Sequence, residues 1–326
     1  MEQRALGATG LQVSALGFGC GAVGGLMTRG APEDQRQAVQ RALDAGITYF
    51  DTAAQYGDGA SETNLGRVMR ELGAWQRVVV GTKVRLPAGE PGWARSAVRE
   101  SLEASLRRLG RDDVDVLHLH NGVGLTHGER GMLDLETVLG EVAAALEEVK
   151  TAGLAQHVGF TGIGDSTAVR EVVKSEPFET VQAYFNALNA SAGFTGHAGG
   201  RQDFEGLIDT AALAGRGVIV IRVLAAGAAT GSPEREVLAG DPGGALGGSD
   251  YGDDVARAAR LGQLARDLGL ESPIELSVRF GLSKTGGSTV LVGYSTLDHL
   301  EQAIRYTERG PLTPDAMQRV LETSLD

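Results

Sequence analysis

Only one cysteine, Cys20, occurs in the 326 residues, so no disulfide can form within the chain. That usage points to a reducing, cytoplasmic setting. No apolar run reaches the ~18 residues that a membrane span needs, so no membrane role is expected. The opening Met1-Glu2-Gln3-Arg4 lacks the charged-then-apolar layout of a signal peptide. Basic residues are in the minority, with 30 Lys and Arg against 42 Asp and Glu, for a net charge of −12. Binding to phosphate backbones needs a basic surface, so nucleic acid is not an expected partner. No Pro- or Ser-rich linker divides the chain, and a single domain over 1–326 is expected. Also missing are a G-x-S-x-G nucleophile elbow, a G-x-x-x-x-G-K-[ST] phosphate loop and an H-E-x-x-H metal motif.

What the chain has in excess is glycine, 48 residues. That is about twice the average usage of ~7% and implies many tight turns. Hydrophobic residues at 42% and charged residues at 22% are ordinary for a soluble globular protein.

Short apolar runs alternate with longer amphipathic stretches. Strands are expected at 16–18, 47–51, 78–83, 115–120, 157–161, 180–184, 218–222 and 288–292. Helices are expected at 33–45, 61–73, 94–109, 134–152, 165–175, 203–214 and 254–268. Ser272-Pro273 reads as an N-cap and first helical residue, with that helix running to about Leu282. Ser295 or Thr296 would cap a last helix through Arg305. Eight strand–helix units with continuously apolar strands predict a closed (β/α)₈ TIM barrel. Residues 3–14, with Gly10 between Leu6 and Val13, predict an N-terminal β-hairpin plugging the barrel bottom. The glycine-rich stretch 239–253 reads as a surface loop or as a flap over a bound ligand.

Two patterns compete for attention near the N-terminus. Gly19-Cys20-Gly21-Ala22-Val23-Gly24 matches G-x-G-x-x-G, with Asp51 ending the next strand. A dinucleotide fingerprint needs its third glycine in the opening of a helix. Here Gly25, Gly30 and Pro32 follow and the helix starts near Glu33, so a glycine-rich strand-to-helix loop is expected instead. The second pattern is spread over three strands. Asp51 ends the second strand and Tyr56 follows in its loop; Lys83 ends the third and His120 the fourth. In a barrel these ends share one rim, where active sites sit.

That set has a specific chemistry. A phenol with a pKa near ~10 is a poor acid–base catalyst at neutral pH. A lysine cation beside it lowers the pKa, and Asp51 would hold Lys83 charged and oriented. A neutral His120 imidazole would position a substrate carbonyl. The set suits protonation of a carbonyl oxygen as hydride arrives, or the reverse. His118 and His120, at i and i+2 on one strand, would share a face and invite a metal reading. The other histidines, at 127, 157, 197 and 299, do not fall at later strand ends, and no metal is expected.

These residues resemble the aldo-keto reductase superfamily over almost the whole chain. Arg4, Leu6-Gly7, Thr9-Gly10-Leu11, Val13-Ser14, Leu16-Gly17 and Gly19 are similar to its N-terminal segment. The most specific stretch is Gly46-Ile47, Phe50-Asp51-Thr52-Ala53, Tyr56-Gly57, Ser61-Glu62 and Gly66. The resemblance implies the barrel, an NAD(H) or NADP(H) cofactor, and Asp51, Tyr56, Lys83 and His120 as the catalytic tetrad. It implies a cofactor bordered by Gly19 and Asp51. Thr161, at a family Ser-Asn position, and Gln182 would meet the carboxamide. Leu224, Ala226 and Gly227 would run beside the pyrophosphate, and Gly293, Tyr294, Ser295, His299 and Gln302 would lie at the adenosine end. The family aromatic after strand seven is replaced by Ile221-Arg222-Val223-Leu224. The Lys and Arg that meet a 2′-phosphate are missing too, which makes NAD or dual use more credible.

The implied substrate is a small carbonyl compound or sugar. Phe160–Asp165 and Val292–Ser295 are similar to the aldose, fucose and galactose 1-dehydrogenase branch, which oxidises sugar hemiacetals to lactones. Loops 20–31, 121–133 and 225–253 would shape substrate choice, with Tyr56, His120, Asn121 and Trp93 in the pocket and Phe194 as a further aromatic. Two other readings stand beside this one: a nicotinamide-binding redox sensor on the same scaffold, and a metal-dependent barrel hydrolase.

Overall fold

The computed structural model describes residues 1–87, 92–126, 132–242 and 250–325. His127 and the 243–249 part of the expected flap lie outside them. Residues Gln3–Ala5 (β1) and Gln12–Ser14 (β2) pair antiparallel. The barrel strands follow: Leu16–Gly19 (β3), Tyr49–Asp51 (β4), Val79–Val84 (β5), Val114–Leu119 (β6), Ala155–Gly162 (β7), Thr180–Tyr184 (β8), Gly217–Ile221 (β9) and Thr289–Gly293 (β10). All eight pair parallel in chain order, and β10 closes onto β3 with Gly293 opposite Gly19. The expected (β/α)₈ barrel and the N-terminal hairpin are both present.

Helices cover the outside: Pro32–Asp44 (α1), Ala60–Leu72 (α2), Ala94–Leu109 (α3), Ala143–Thr151 (α4), Ser166–Lys174 (α5), Leu207–Leu213 (α6), Tyr251–Asp267 (α7), Pro273–Ser283 (α8), Leu297–Glu308 (α9) and Pro314–Leu325 (α10). Their starts follow capping chemistry. The Glu275 amide donates to the Ser272 hydroxyl at 3.1 Å with Pro273 next, and the His299 amide donates to Thr296 Oγ1 at 3.2 Å. Thr296 is therefore the cap of α9, while Ser295 Oγ donates to the Gly24 carbonyl at 2.6 Å.

Three expectations needed adjustment. The stretch 134–152 is broken by a π-helical turn at Val138–Val142, where the Glu141 carboxylate accepts the Ala94 amide at 2.8 Å. The helix expected at 203–214 begins only at Leu207, because Gly206 turns left-handed (φ +69°) ahead of it. Helix α10 went unread, although Thr313-Pro314 opens it as a cap and first-residue pair, with the Ala316 amide donating to Thr313 Oγ1 at 3.3 Å.

The hairpin reaches the barrel floor. Leu6 and Val13 are fully buried and pack with Tyr49, Val116 and Ile219 in a cluster separate from the main core. Gly7 (φ +56°) makes this seat possible, because a Cβ there would lie 2.2 Å from the Gly217 amide nitrogen. Replacing Leu6 with Ala should lower unfolding stability by about 2–5 kcal/mol through the cavity it leaves. Chemical denaturation would show it. Dinucleotide affinity should not change, since the plug is at the end opposite the strand C-termini, and a parallel loss of affinity would contradict that separation.

Candidate active site

The alternation of strand side chains brings the ionisable residues together. Asp51 pairs in register with Gly81, and Lys83, two residues further along β5, points to the same interior face. Gly81 is a necessary gap, because a Cβ there would come 2.5 Å from the Tyr49 hydroxyl. Lys83 is fully buried; its Nζ donates to Asp51 Oδ1 and, at 2.8 Å, to the Thr52 carbonyl. Gln182 Nε2, from β8 across the barrel, donates to Asp51 Oδ2 at 2.6 Å. The Lys83 ammonium lies 4.8 Å from the centre of the Tyr56 ring, and the Tyr56 and His120 rings meet edge to face at 5.8 Å. The fold thus brings Asp51, Tyr56, Lys83 and His120 into one cluster.

Burial sets the electrostatics. It would lower the Lys83 ammonium, but Asp51 and Tyr56 raise it on balance, so Lys83 stays charged. Burial raises the Asp51 carboxyl against the opposing pull of Lys83. It also raises the Tyr56 phenol above its ordinary value, with Lys83 pulling the other way and Asp51 adding to the rise. The sequence-based expectation of a lowered phenol is therefore corrected: desolvation outweighs the neighbouring cation. Burial, helped by Lys83 and Arg85, pushes the His120 imidazole down to about 3. Its Nδ1 lies 3.0 Å from Gln55 Oε1, which anchors the ring.

His118 is different. It is fully buried, and its Nε2 lies 3.0 Å from Thr180 Oγ1 inside the barrel. Among the described residues no group of three or more His, Cys, Asp or Glu could hold a metal. The signature residues Ser61 and Glu62 also turn inward to the scaffold. Ser61 Oγ donates to the Cys20 carbonyl at 2.9 Å. Glu62 accepts from Thr82 Oγ1 at 2.5 Å and from Arg108 Nε at 2.6 Å, which pins α2 to β5 and α3.

A cavity of about 600 Å³ opens beside the tetrad. Asp51, Tyr56 and His120 line it, with Gly19, Thr161, Gln182, Leu224, Ala226, Gly227, Gly293, Ser295, His299 and Gln302. Four of the residues predicted to line the pocket or hold the cofactor lie elsewhere. Asn121 is buried and bonds both backbone groups of Leu86 at 2.8 Å, tying two loops together. Trp93 precedes α3 and packs against the core. Tyr294 is buried against Phe18, with ring centroids 5.0 Å apart. Phe194 packs on Phe185 and under Lys284, also outside the cavity.

The G-x-G-x-x-G stretch forms the loop after β3 and does line the cavity through Gly19, Gly21 and Gly24. A Cβ at Gly24 would come 2.5 Å from the Tyr294 amide, so this loop sits directly on the chain after β10. After β9 the chain coils through left-handed Arg222, Ala225, Ala226 and Gly227 along the cavity wall. Left-handed non-glycine residues cost roughly 1–3 kcal/mol each and gather at functional sites. Residues 232–242 then bridge the two loops. Arg29 Nε donates to the Leu238 carbonyl at 3.1 Å, and the Gly240 amide donates to Ala22 and Val23. Arg235 donates to Ala226 and Gly240 at 2.9 and 2.7 Å, and Arg222 to Pro242 at 2.7 Å. Arg222, Arg235, Glu234 and Glu236 all line the cavity and were not singled out from sequence. The signals available were the loss of an aromatic at Arg222 and the expectation that loop 225–253 shapes substrate choice.

Comparison with known proteins fits this architecture. The Aldo/keto reductase family model matches residues 15–324. The chain belongs to the aldo/keto reductase family, a family of oxidoreductases. It is 36% identical over 164 residues to L-galactose dehydrogenase of Arabidopsis thaliana, covering 50% of this chain and 49% of that one. Against L-glyceraldehyde 3-phosphate reductase of Escherichia coli O157:H7 it is 29% identical, covering 94% and 87%. The match thus spans about half the length of the first of these curated relatives and most of the second. Among solved structures, the holo form of aldo-keto reductase AKR11C1 from Bacillus halodurans superposes with a TM-score of 0.74. The identity there is 25%, covering 99% of this chain and 96% of that one. No helix among the described residues is long and apolar enough to cross a membrane.

Proposed function

We propose that the protein interconverts a small carbonyl compound or aldose and its hydroxyl partner with a nicotinamide dinucleotide, Tyr56 being the acid and base. The observation that carries this is the buried chain from Asp51 through charged Lys83 to the Tyr56 ring, with neutral His120 alongside. The cavity residues suit the cofactor. Thr161 Oγ1 is buried without a hydrogen-bond partner among the described residues, and Gln182 lies beside it on β8. Both would meet an amide. Glycines at 19, 21, 24 and 293 leave backbone exposed for close approach. When bound, the nicotinamide would give or accept the hydride.

The chain's own residues manage the proton. In reduction, the neutral Tyr56 phenol donates its proton to the substrate oxygen while His120 orients that oxygen. In oxidation, the phenolate removes the hydroxyl proton, and the Lys83 charge stabilises the phenolate. A neutral His120 imidazole hydrogen-bonds the same substrate oxygen and holds it toward the Tyr56 hydroxyl. This suits an aldose, whose oxidation at C1 gives a lactone. The likeness to L-galactose dehydrogenase of Arabidopsis thaliana supports a sugar as substrate.

The test is turnover of an aldose and aldehyde panel with NAD⁺, NADP⁺ and their reduced forms. Absence of turnover with every member, alongside tight dinucleotide binding, would favour a redox-sensing role instead. The pH dependence is a sharper check. The raised phenol keeps Tyr56 protonated, so the reductive rate should stay flat from about pH 6 to 9. The oxidative rate should climb through the alkaline range, because it needs the phenolate. His120, at about 3, should contribute no acid limb near neutrality. A reductive profile breaking near the ordinary histidine value of 6.5 would contradict this assignment.

A further inference from the structure

We propose that Glu236, facing His299, fixes the coenzyme preference for the dinucleotide without a 2′-phosphate. The inference rests on reading the cavity as a nicotinamide dinucleotide site. One part of that cavity is built by Ile274 and Val278 of α8 and by His299, Gln302 and Ala303 of α9. The apolar side chains offer a surface for a flat base, and the polar ones offer partners for a ribose. Glu236 comes from the bridging segment 232–242, with its carboxylate 3.5 Å from His299 Nε2.

The charges there are of the wrong sign for a phosphate. Glu234 and Glu236 both line the cavity. Gln302 Nε2 is already donated to Asp298 at 2.6 Å, a third carboxylate. Ser295 Oγ is donated to the Gly24 carbonyl. Among the described lining residues the only Lys or Arg side chains are Arg222 and Arg235, and each is held by backbone carbonyls. Arg222 donates to Pro242, whereas Arg235 spans the Ala226 and Gly240 carbonyls and lies 4.9 Å over the Tyr251 ring. A carboxylate accepts a hydrogen bond from a ribose 2′-hydroxyl but repels a 2′-phosphate, which normally takes Arg or Lys. Glu236 thus supplies attraction to one coenzyme and repulsion of the other, the two halves of a specificity device.

The experiment is fluorescence titration of the purified protein with NADH and with NADPH at fixed ionic strength. It is repeated on Glu236→Gln and Glu236→Lys. The wild type should bind NADH at least about tenfold more tightly, as expected for one like-charge contact. Glu236→Gln should bring the two affinities close to parity by improving NADPH, and Glu236→Lys should reverse the order. Because Glu236 is half-exposed, raising the salt should narrow the wild-type ratio. Equal or tighter NADPH binding by the wild type would overturn the proposal. So would a ratio unchanged in both variants. Failure to bind either coenzyme is a separate outcome, which removes the dinucleotide reading itself.

Discussion

Tyr56→Phe should lower turnover by about 10²–10⁴-fold in both directions while leaving dinucleotide affinity unchanged. The ring that packs against His120 and under the Lys83 ammonium is retained in phenylalanine, so the cavity keeps its shape. Only the dissociable proton is removed. Steady-state rates beside a coenzyme titration separate the two effects. Turnover close to wild type would remove Tyr56 from the proton step, whereas a matched loss of coenzyme binding would recast it as a wall of the site. The raised phenol adds a directional signature: oxidation by the wild type should still be accelerating at pH 9, well short of the phenol midpoint.

Lys83→Met should be costly twice over. Asp51 is 1% exposed, and without Lys83 its remaining side-chain partners are Gln182 and the long contact from the Tyr49 hydroxyl. Removing one member of a buried pair typically costs about 3–5 kcal/mol, because the other charge is left in a medium that cannot solvate it. The variant should therefore unfold at lower denaturant, most clearly at alkaline pH, where Asp51 cannot relieve the strain by taking up a proton. Turnover should fall as well, since burial would then raise the Tyr56 phenol with only the smaller pull of Arg222 opposing it. The double variant Asp51→Asn with Lys83→Met keeps the volume and removes both charges. It should recover most of the stability and none of the turnover. If the double variant is no more stable than Lys83→Met, the ion pair is not what holds this part of the barrel.

The bridging segment links these two ends of the site. Arg222 sits on the wall near Tyr56 and grips Pro242, while Glu236, six residues earlier in the chain, reaches His299. One short stretch of backbone thus contacts both the region of the proton chemistry and the region proposed to choose the coenzyme. Arg29 and Arg222 hold it from outside through its backbone carbonyls, and its own Arg235 spans the Ala226 and Gly240 carbonyls.

The barrel was legible because its cause is local. Each strand is a short run of apolar residues between helices with recognisable starts, and eight such units close in one way. Register along each strand follows from two-residue alternation, so the arrival of Asp51, Lys83 and His120 at one rim could be read from their positions at strand ends. The hairpin was legible for the same kind of reason, with Gly10 turning between two apolar residues. What the tertiary structure alone decided is how deeply each group is buried and what else competes for it. Desolvation overrode the Lys83 charge at Tyr56, a balance that no spacing reveals. Asn121, Trp93 and Tyr294 carry plausible chemistry in sequence, yet backbone partners and packing claim them first. Glu236 and Arg235 entered the site from a loop with no periodicity, whose path is set by contacts made up to about two hundred residues away. Local pattern fixes elements and register; burial and long-range contacts fix charge.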